Sequence, residues 1–169
     1  SEMCIRDRFN GSPYRQFSQN QLKRNSGYWA EHLWWWNLDG WQFEQEVAKI
    51  FILNGYKATV TKGSGDGGVD IILEQEGYRA IVQCKHYRNP VPPEPIRALW
   101  GCREDFQANE VILVASSGIT QSGADFISNK PNFKVLNLDD IIRMSMQVNQ
   151  QPQNDYVSSG NKHGRKLDI

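Results

Sequence analysis

Asp70, Gln83 and Lys85 bring a carboxylate, an amide and an ammonium group onto two short apolar segments, which a turn at Glu76-Gly77 joins. Strand side chains alternate between the two faces of a sheet, so Gln83 and Lys85 point the same way. If the two segments pair as a hairpin, Asp70 joins them on that face. Such groups are costly to bury unless they serve one another or a bound ion. The pattern therefore predicts a functional site on one face of a hairpin.

These residue types suit metal-dependent hydrolysis. Hard divalent cations such as Mg²⁺ take oxygen ligands, and usually one or two of these are protein carboxylates. Asp70 supplies one carboxylate, Gln83 an amide oxygen, and Glu44 a second carboxylate that binds directly or through water. Lys85 can contact the attacking water or a phosphate oxygen, while the metal eases deprotonation of bound water and offsets charge on a phosphoryl group. The set indicates hydrolysis of a phosphodiester.

Each assignment has a plainer alternative. The Asp…Gln-x-Lys pattern alone also fits the wet face of an ordinary hairpin, and Glu44 also fits a solvated charge at the rim of its helix, with Gln45 and Glu46 pointing away from the apolar stripe. The hairpin residues around the polar ones are strongly apolar: Val69, Ile71, Ile72, Ala80, Ile81, Val82 and Cys84. Because such neighbours indicate buried strands, they favour the functional interpretation.

A glycine-rich loop, Gly63-Ser64-Gly65-Asp66-Gly67-Gly68, precedes the first hairpin strand. Its glycines either supply positive φ angles for a tight connection or, by lacking side chains, let a nucleic-acid backbone approach the metal. On the second interpretation the substrate-binding residues are Ser64, Gly65, Gly67 and Gly68. No Gly-Lys-Ser/Thr follows, which excludes a Walker P-loop. Asp66 is interpreted as a turn residue, with an outer-shell metal role as the alternative.

The three histidines do not favour a histidine-based hydrolase. His86 is predicted to face away from Lys85, whereas His32 and His163 lie near the two ends of the chain. The three cysteines lack CxxC spacing, so neither a disulfide framework nor a zinc site is expected. This cysteine usage favours a reducing, cytoplasmic setting, and no signal peptide or membrane span is expected.

Helical and extended patterns alternate around the hairpin. Asp39 and Gln42 have the spacing of a capping box, and Gly55 has the position of a C′ residue, so the helix between them carries Glu44. The elements predicted after it are a strand at 56–61, the hairpin, a helix from Pro92 through Phe106, a strand at 111–115, a helix at 121–129, a strand at 133–138 and a last helix that Asp139 caps and that runs through Met146. The order α-β-β-β-α-β-α implies an α/β fold with a mixed central sheet flanked by α-helices.

The composition predicts one domain with polar flanks. Residues 1–27 and 147–169 are expected to be disordered, and residues 40–146 to form the catalytic domain. Residues 28–39 form a Trp-rich lead-in, interpreted as a lid on the core, with a platform for stacking bases as the alternative. Lys+Arg and Asp+Glu both number 19, so the net charge gives no sign of nucleic-acid binding.

The run GWQFEQEVAKIFILNGY, followed by KGSGDGGVDIIL and AIVQCKHY, resembles the Mrr-type restriction endonuclease catalytic domain of the PD-(D/E)xK nuclease superfamily. The resemblance covers roughly Leu38 to Met146, and Gln replaces the first acid of the last motif. It implies Asp70 as the principal metal ligand, Gln83 as a second ligand and Lys85 as the catalytic lysine, with Glu44 as the helix-borne acid. The implied fold is a mixed sheet with flanking helices.

The resemblance implies cleavage of DNA with Mg²⁺, for which Mn²⁺ can substitute. Two alternatives stay open: a catalytically silent DNA-binding or assembly module of the same fold, and a nuclease that acts on RNA or on branched DNA. Cutting both strands of a duplex with one metal site per chain usually needs two sites, which makes a homodimer an expectation as well. Neither sequence specificity nor preference for modified DNA follows from these residues.

Overall fold

A computed structural model describes residues 2–3, 29–62 and 67–147 of the chain. In chain order its elements are β1 (Glu2–Met3), α1 (His32–Trp36), α2 (Gly40–Leu53), β2 (Lys57–Thr61), β3 (Ile71–Gln75), β4 (Tyr78–Lys85), α3 (Pro93–Gly101), β5 (Glu110–Ala115), α4 (Gln121–Ile127), β6 (Phe133–Leu136) and α5 (Leu138–Gln147). The predicted order α-β-β-β-α-β-α corresponds to α2 through α4, and β6 and α5 follow it.

The strands form one mixed sheet in the order β1-β2-β3-β4-β5-β6. The pairs from β1 to β4 are antiparallel, whereas β4, β5 and β6 are parallel to one another. The helices α2 and α5 cover one face of this sheet, and α3 and α4 cover the other. The predicted mixed sheet with flanking helices is therefore confirmed. The strands β2, β4, β5 and β6 all end at the same edge, which we call the carboxyl edge.

The helix α2 is fixed at both ends by the predicted signals. The Asp39 carboxylate accepts a hydrogen bond from the Gln42 backbone N–H at 2.7 Å, and the Gln42 side chain accepts one from the Asp39 N–H at 2.9 Å. Gly55 follows the helix at φ +94°, a left-handed conformation that glycine adopts without strain. Phe43, Ile50 and the other apolar residues of its inner face are buried, and each contributes about 1.5–3 kcal/mol through burial. The position of Glu44 follows from this frame.

Several element ends differ from the prediction. The helix that begins at Pro93 ends at Gly101 rather than at Phe106, because glycine is a poor helix former and a series of turns follows it. β6 ends at Leu136 because Asn137, not Asp139, caps the last helix: its Oδ1 accepts a hydrogen bond from the Asp140 N–H at 2.9 Å. That helix extends to Gln147, one residue beyond its predicted end.

The flanking predictions are tested only in part. Glu2–Met3 pair with β2 as a two-residue strand, which differs from the expectation for the first 27 residues at those two positions. The remainder of both predicted disordered flanks, residues 1, 4–27 and 148–169, lies outside the described residues, as does residue 28 of the lead-in. In the part of the chain that the structure describes, no helix is long and apolar enough to cross a membrane.

The Trp-rich lead-in packs on α2. Trp29 and Trp35 are buried, and the indole N–H of Trp35 donates to the Trp29 carbonyl at 3.1 Å. Trp35 also meets Phe43 edge-to-face, with ring centroids 5.7 Å apart. These two tryptophans are therefore part of the core, as the lid interpretation predicts, whereas Trp41 and Leu33 are exposed.

Candidate active site

The carboxyl edge holds the hairpin residues singled out by the sequence. β3 begins at Ile71, so Asp70 lies one residue before the strand rather than inside it. Its backbone is nevertheless fixed on both sides, because its N–H donates to the Val82 carbonyl and its carbonyl accepts from Thr61, both at 2.8 Å. Continuing the β3–β4 register by one residue places Asp70 opposite Gln83. The two side chains therefore lie across the hairpin from each other, as predicted.

The Asp70 carboxylate is half-buried. Its Oδ2 accepts a hydrogen bond from the Cys84 backbone N–H at 2.7 Å. Burial raises the pKa of Asp70, while the Cys84 hydrogen bond and the Lys85 charge act in the opposite direction. A carboxylate that burial has made reluctant to ionise gains from a nearby cation. Asp70 is thus suited to hold one.

Gln83 is 6% exposed, and its side-chain oxygen has no hydrogen-bond partner. A buried polar atom without a partner is costly and calls for an explanation. An amide oxygen is a type of donor that Mg²⁺ or Mn²⁺ accepts, and the register places the carboxylate-bearing Asp70 opposite Gln83. The residues present therefore fit a hard divalent cation held by Asp70, Gln83 and Glu44.

Glu44 approaches the hairpin from α2. Its pKa is raised to about 7, first by burial and next by the negative charge of Asp70, whereas Lys85 lowers it and Asp39 raises it further. Glu44 therefore interacts electrostatically with both Asp70 and Lys85. Within the described ranges, no three His, Cys, Asp or Glu residues are grouped as a metal site. The candidate ligand set consists of two carboxylates and one amide oxygen.

Lys85 has no carboxylate within salt-bridge distance among the described residues. Its ammonium donates to the Tyr87 hydroxyl at 3.4 Å and lies 5.4 Å from the centre of that ring. Tyr87 is 50% exposed. The amine is thus held beside the carboxylates without being neutralised by one. Sequence reasoning missed Tyr87, although the alternation of strand side chains places it on the face of Lys85.

The glycine loop is described only at its end. Gly67 and Gly68 have φ angles of +63° and +87°, and a Cβ on Gly68 would lie 2.2 Å from Nε2 of Gln83. Gly68 therefore needs both its backbone conformation and its missing side chain, because the Gln83 amide packs directly on it. The predicted substrate-binding residues Ser64 and Gly65, like Asp66, lie outside the described residues.

His86 turns to the opposite face from Lys85, as predicted. Its ring stacks on Phe43 and on Trp36, with centroids 4.4 Å and 5.1 Å away, and its Nδ1 lies 2.6 Å from the Ser116 hydroxyl. Burial lowers the pKa of His86. The ring is therefore a packing element that links the lead-in to β4.

Gln45 and Glu46 were predicted to point away from the apolar stripe of α2, but neither side chain is solvent-exposed there. Gln45 is buried, and Glu46 accepts hydrogen bonds from the Trp29 indole at 3.0 Å and from Lys49 at 2.6 Å. For Glu46 the cover comes from Trp29 of the lead-in, which packs on a second side of α2 that the apolar stripe alone does not reveal. The aromatic density upstream of the helix was the available signal.

Comparisons with known proteins agree with this geometry. A family model described as restriction endonuclease, the Mrr catalytic domain, matches residues 36–145. No curated protein matches the chain. The solved structure of the DNA modification-dependent restriction endonuclease AspBHI is similar, with 14% identity and a TM-score of 0.54 over 80% of this chain and 41% of that one. This likeness shows a shared fold.

Two further structures are more distant. MspJI restriction endonuclease in complex with a 27-mer oligonucleotide matches with 13% identity and a TM-score of 0.42, over 83% of this chain and 34% of that one. AF1548, a protein of unknown function, matches with 13% identity and a TM-score of 0.47, over 56% of each chain. The chain thus spans between about a third and somewhat more than half of the length of these structures.

Proposed function

This chain belongs to the restriction endonuclease family defined by the Mrr catalytic domain, and from that premise we propose that it is a metal-dependent endonuclease that hydrolyses phosphodiester bonds in DNA. The proposed ligands of the metal are Asp70, Gln83 and Glu44, and the proposed metal is Mg²⁺ or Mn²⁺. When bound, such an ion lowers the pKa of a coordinated water and offsets negative charge on the phosphoryl group.

The observation that carries this proposal is the unpartnered side-chain oxygen of Gln83. In an ordinary hairpin a buried amide oxygen without a donor would only destabilise the fold, because desolvation of that oxygen costs about 1–3 kcal/mol. A cation shared with the raised-pKa carboxylates of Asp70 and Glu44 would offset that cost and favour their ionised forms. The solvated-face alternative predicts neither the burial nor the missing partner.

Lys85 is proposed to act on the reacting groups themselves. Its ammonium is free of carboxylate partners in the described part of the chain, so it can orient the attacking water or contact a phosphate oxygen. Tyr87 limits where the amine can go by accepting its hydrogen bond at 3.4 Å. In this proposal the metal is bound by Asp70, Gln83 and Glu44, and Lys85 contacts the attacking water or the phosphate.

The test is cleavage of supercoiled plasmid with Mg²⁺ or Mn²⁺. Lys85→Ala and an excess of EDTA should each abolish nicking, and Gln83→Ala should reduce it at limiting metal. Lys134→Ala is the matched control, because Lys134 pairs with Glu110 away from the carboxyl edge and should retain activity. Absence of cleavage by a folded protein on methylated, unmethylated and single-stranded DNA would refute the proposal in favour of a silent binding module. Matched RNA and branched-DNA substrates test the remaining alternative.

A restriction-type role, a homodimeric state and a cytoplasmic location are part of the same proposal. They rest on the family and on the residue pattern: Cys84 and Cys102 are free thiols, and each chain offers one metal site. Sedimentation with and without a DNA duplex measures the oligomeric state directly.

A further inference from the structure

A polar cavity opens at the carboxyl edge, where β5 ends and α5 begins. It has a volume of about 450 Å³, and its walls are His32 and Trp36 from α1, residues 116–118 after β5, and residues 137–139 at the start of α5. This volume falls within the roughly 300–1,000 Å³ of sites that bind small molecules. None of the proposed metal ligands or Lys85 lines it. The nuclease proposal therefore leaves the cavity unexplained.

The cavity is connected to the catalytic strand through its wall. The backbone N–H of Ser116 donates to the Lys85 carbonyl at 3.0 Å, and the hydroxyl of Ser117 donates to the Tyr87 carbonyl at 2.7 Å. Trp36 stacks on His86, whose ring lies on the face of the sheet opposite Lys85. The cavity and the candidate active site therefore meet at the carboxyl edge from opposite faces of the sheet.

The side chains of the cavity offer a flat ring and groups for hydrogen bonding. Trp36 is held in place by its stacking on His86, with the ring planes 24° apart. Asn137 uses its Oδ1 to cap α5, which leaves its NH₂ group as a donor, and the Asp139 carboxylate is an acceptor. An aromatic surface with a donor and an acceptor at its edge matches a nucleobase, which has a π face and a polar edge.

A phosphate or another anion fits the cavity less well. Asp139 lines it, and Asp140 is the next residue in the same first turn of α5, so two carboxylates oppose a bound anion at the helix N-terminus. Among the described residues that line the cavity, His32 is the only one with a basic side chain, and it already contacts Asp139 at 2.6 Å. The charge distribution therefore favours a neutral heterocycle.

We propose that this cavity binds a nucleobase of the DNA substrate that has left the base stack. The inference rests on the proposed nuclease function and narrows its substrate class. Extruding a base costs least where the base is mismatched or unpaired. The chain should therefore prefer duplexes with a local defect near the cut over fully paired duplexes, by about tenfold in binding, which is the scale of one base stacking on an aromatic ring.

Short duplexes that carry 5-iodouracil at a mismatched, an unpaired or a fully paired position test this directly. Irradiation joins the iodinated base to an adjacent aromatic side chain, and mass spectrometry locates the joined residue. The same duplexes are used for binding and cleavage with the full chain, with Asp139→Asn and with His32→Ala. Lys134→Ala is the matched control, because its side chain is 59% exposed in an ion pair, as His32 is at 57%. The ion pairs of His32 and Lys134 are solvent-exposed, so neither replacement threatens the fold.

Two results together would support the subsite. The defective duplexes should crosslink to Trp36 or His32, and the preference for defective over fully paired duplexes should fall in Asp139→Asn but not in Lys134→Ala. Cleavage without crosslinking at these residues, or a preference that both cavity variants retain, would overturn it while leaving the nuclease proposal intact. Crosslinking without cleavage would support the subsite and refute the nuclease. Failure of crosslinking, cleavage and binding alike would overturn both.

Discussion

Replacement of Glu44 by Gln should make the metal-free protein more stable at pH 8 and leave it nearly unchanged at pH 5. In the folded chain the pKa of Glu44 is about 7, against an ordinary value of 4.5, because burial and Asp70 disfavour its charged form. A carboxyl whose pKa is raised by folding contributes its stability fully below the unfolded pKa and loses it as the pH rises through the folded pKa. For Glu44 that window runs from about 4.5 to 7.

The size of the effect follows from the same two pKa values. Raising a pKa from 4.5 to about 7 corresponds to roughly 3.4 kcal/mol at a pH above both values. Glu44 is only half-buried, so solvent screening reduces this to about 1–2 kcal/mol. For a domain of this size each kcal/mol moves Tm by several degrees, so the Gln variant should melt roughly 3–8 °C higher at pH 8.

Thermal unfolding of both proteins in EDTA at pH 5 and pH 8 measures the difference. Glu46→Gln is the matched control, because Glu46 lies two residues along the same helix but accepts hydrogen bonds from the Trp29 indole and from the Lys49 ammonium. Loss of its charge weakens both, so that variant should melt lower than the wild type at pH 8. Both replacements change a glutamate to a glutamine, but their expected changes in Tm at pH 8 have opposite signs.

Addition of Mg²⁺ should reverse the order. A ligand present at 100 times its Kd stabilises the folded state by about 2.7 kcal/mol, and the wild type should gain more of this than Glu44→Gln, which has lost one proposed ligand. The reasoning is refuted if the variant melts lower than the wild type at pH 8 in EDTA. It is also refuted if the increase in Tm over the wild type in EDTA is the same at pH 5 and at pH 8. Either result would mean that Glu44 ionises freely in the folded chain.

Three further outcomes are expected. Gly68→Ala should lower metal affinity, because its Cβ would displace the Gln83 amide, and should cost about 1–3 kcal/mol of stability, because its φ is +87°. Calorimetric Mn²⁺ titration measures the affinity and urea unfolding the stability. Unchanged affinity would contradict the packing of Gln83 on Gly68. Gln83→Glu should retain or increase Mn²⁺ affinity, whereas Gln83→Ala should lose it; equal affinity in the two would remove Gln83 from the site. Metal affinity should rise between pH 6 and pH 8 as the Glu44 carboxyl, whose pKa is raised to about 7, loses its proton, and a flat profile would contradict that raised pKa.

The parts of this structure that the sequence predicts are those encoded within short windows. The capping box at Asp39 and Gln42 and the alternation of the hairpin are local signals, so they place Glu44 and the polar face of β4 with no knowledge of distant contacts. The mixed sheet follows from the order of these elements. Element ends depend on more than these local signals: Asn137 rather than the predicted Asp139 caps α5.

The remaining features depend on contacts between segments that no spacing encodes. His86 stacks between Trp36 and Phe43, and Glu46 meets the Trp29 indole, only because the lead-in folds back over α2. The raised pKa of Glu44 likewise depends on how deeply α2 packs against the hairpin. Periodicity identifies the apolar face of a helix, but a second covered side appears only in three dimensions.

Because Trp29 and Trp35 are buried, the segment that folds as one unit begins earlier in the chain than the segment that the family model matches. The family match begins at residue 36, so a chain truncated there would keep every proposed catalytic residue and lose both of these tryptophans. Removing a buried Trp side chain costs about 3–5 kcal/mol, and two such losses approach the entire stability of an ordinary domain. Phe43 would then face water where Trp35 had covered it. For recombinant work or domain exchange, the boundary must therefore precede Trp29.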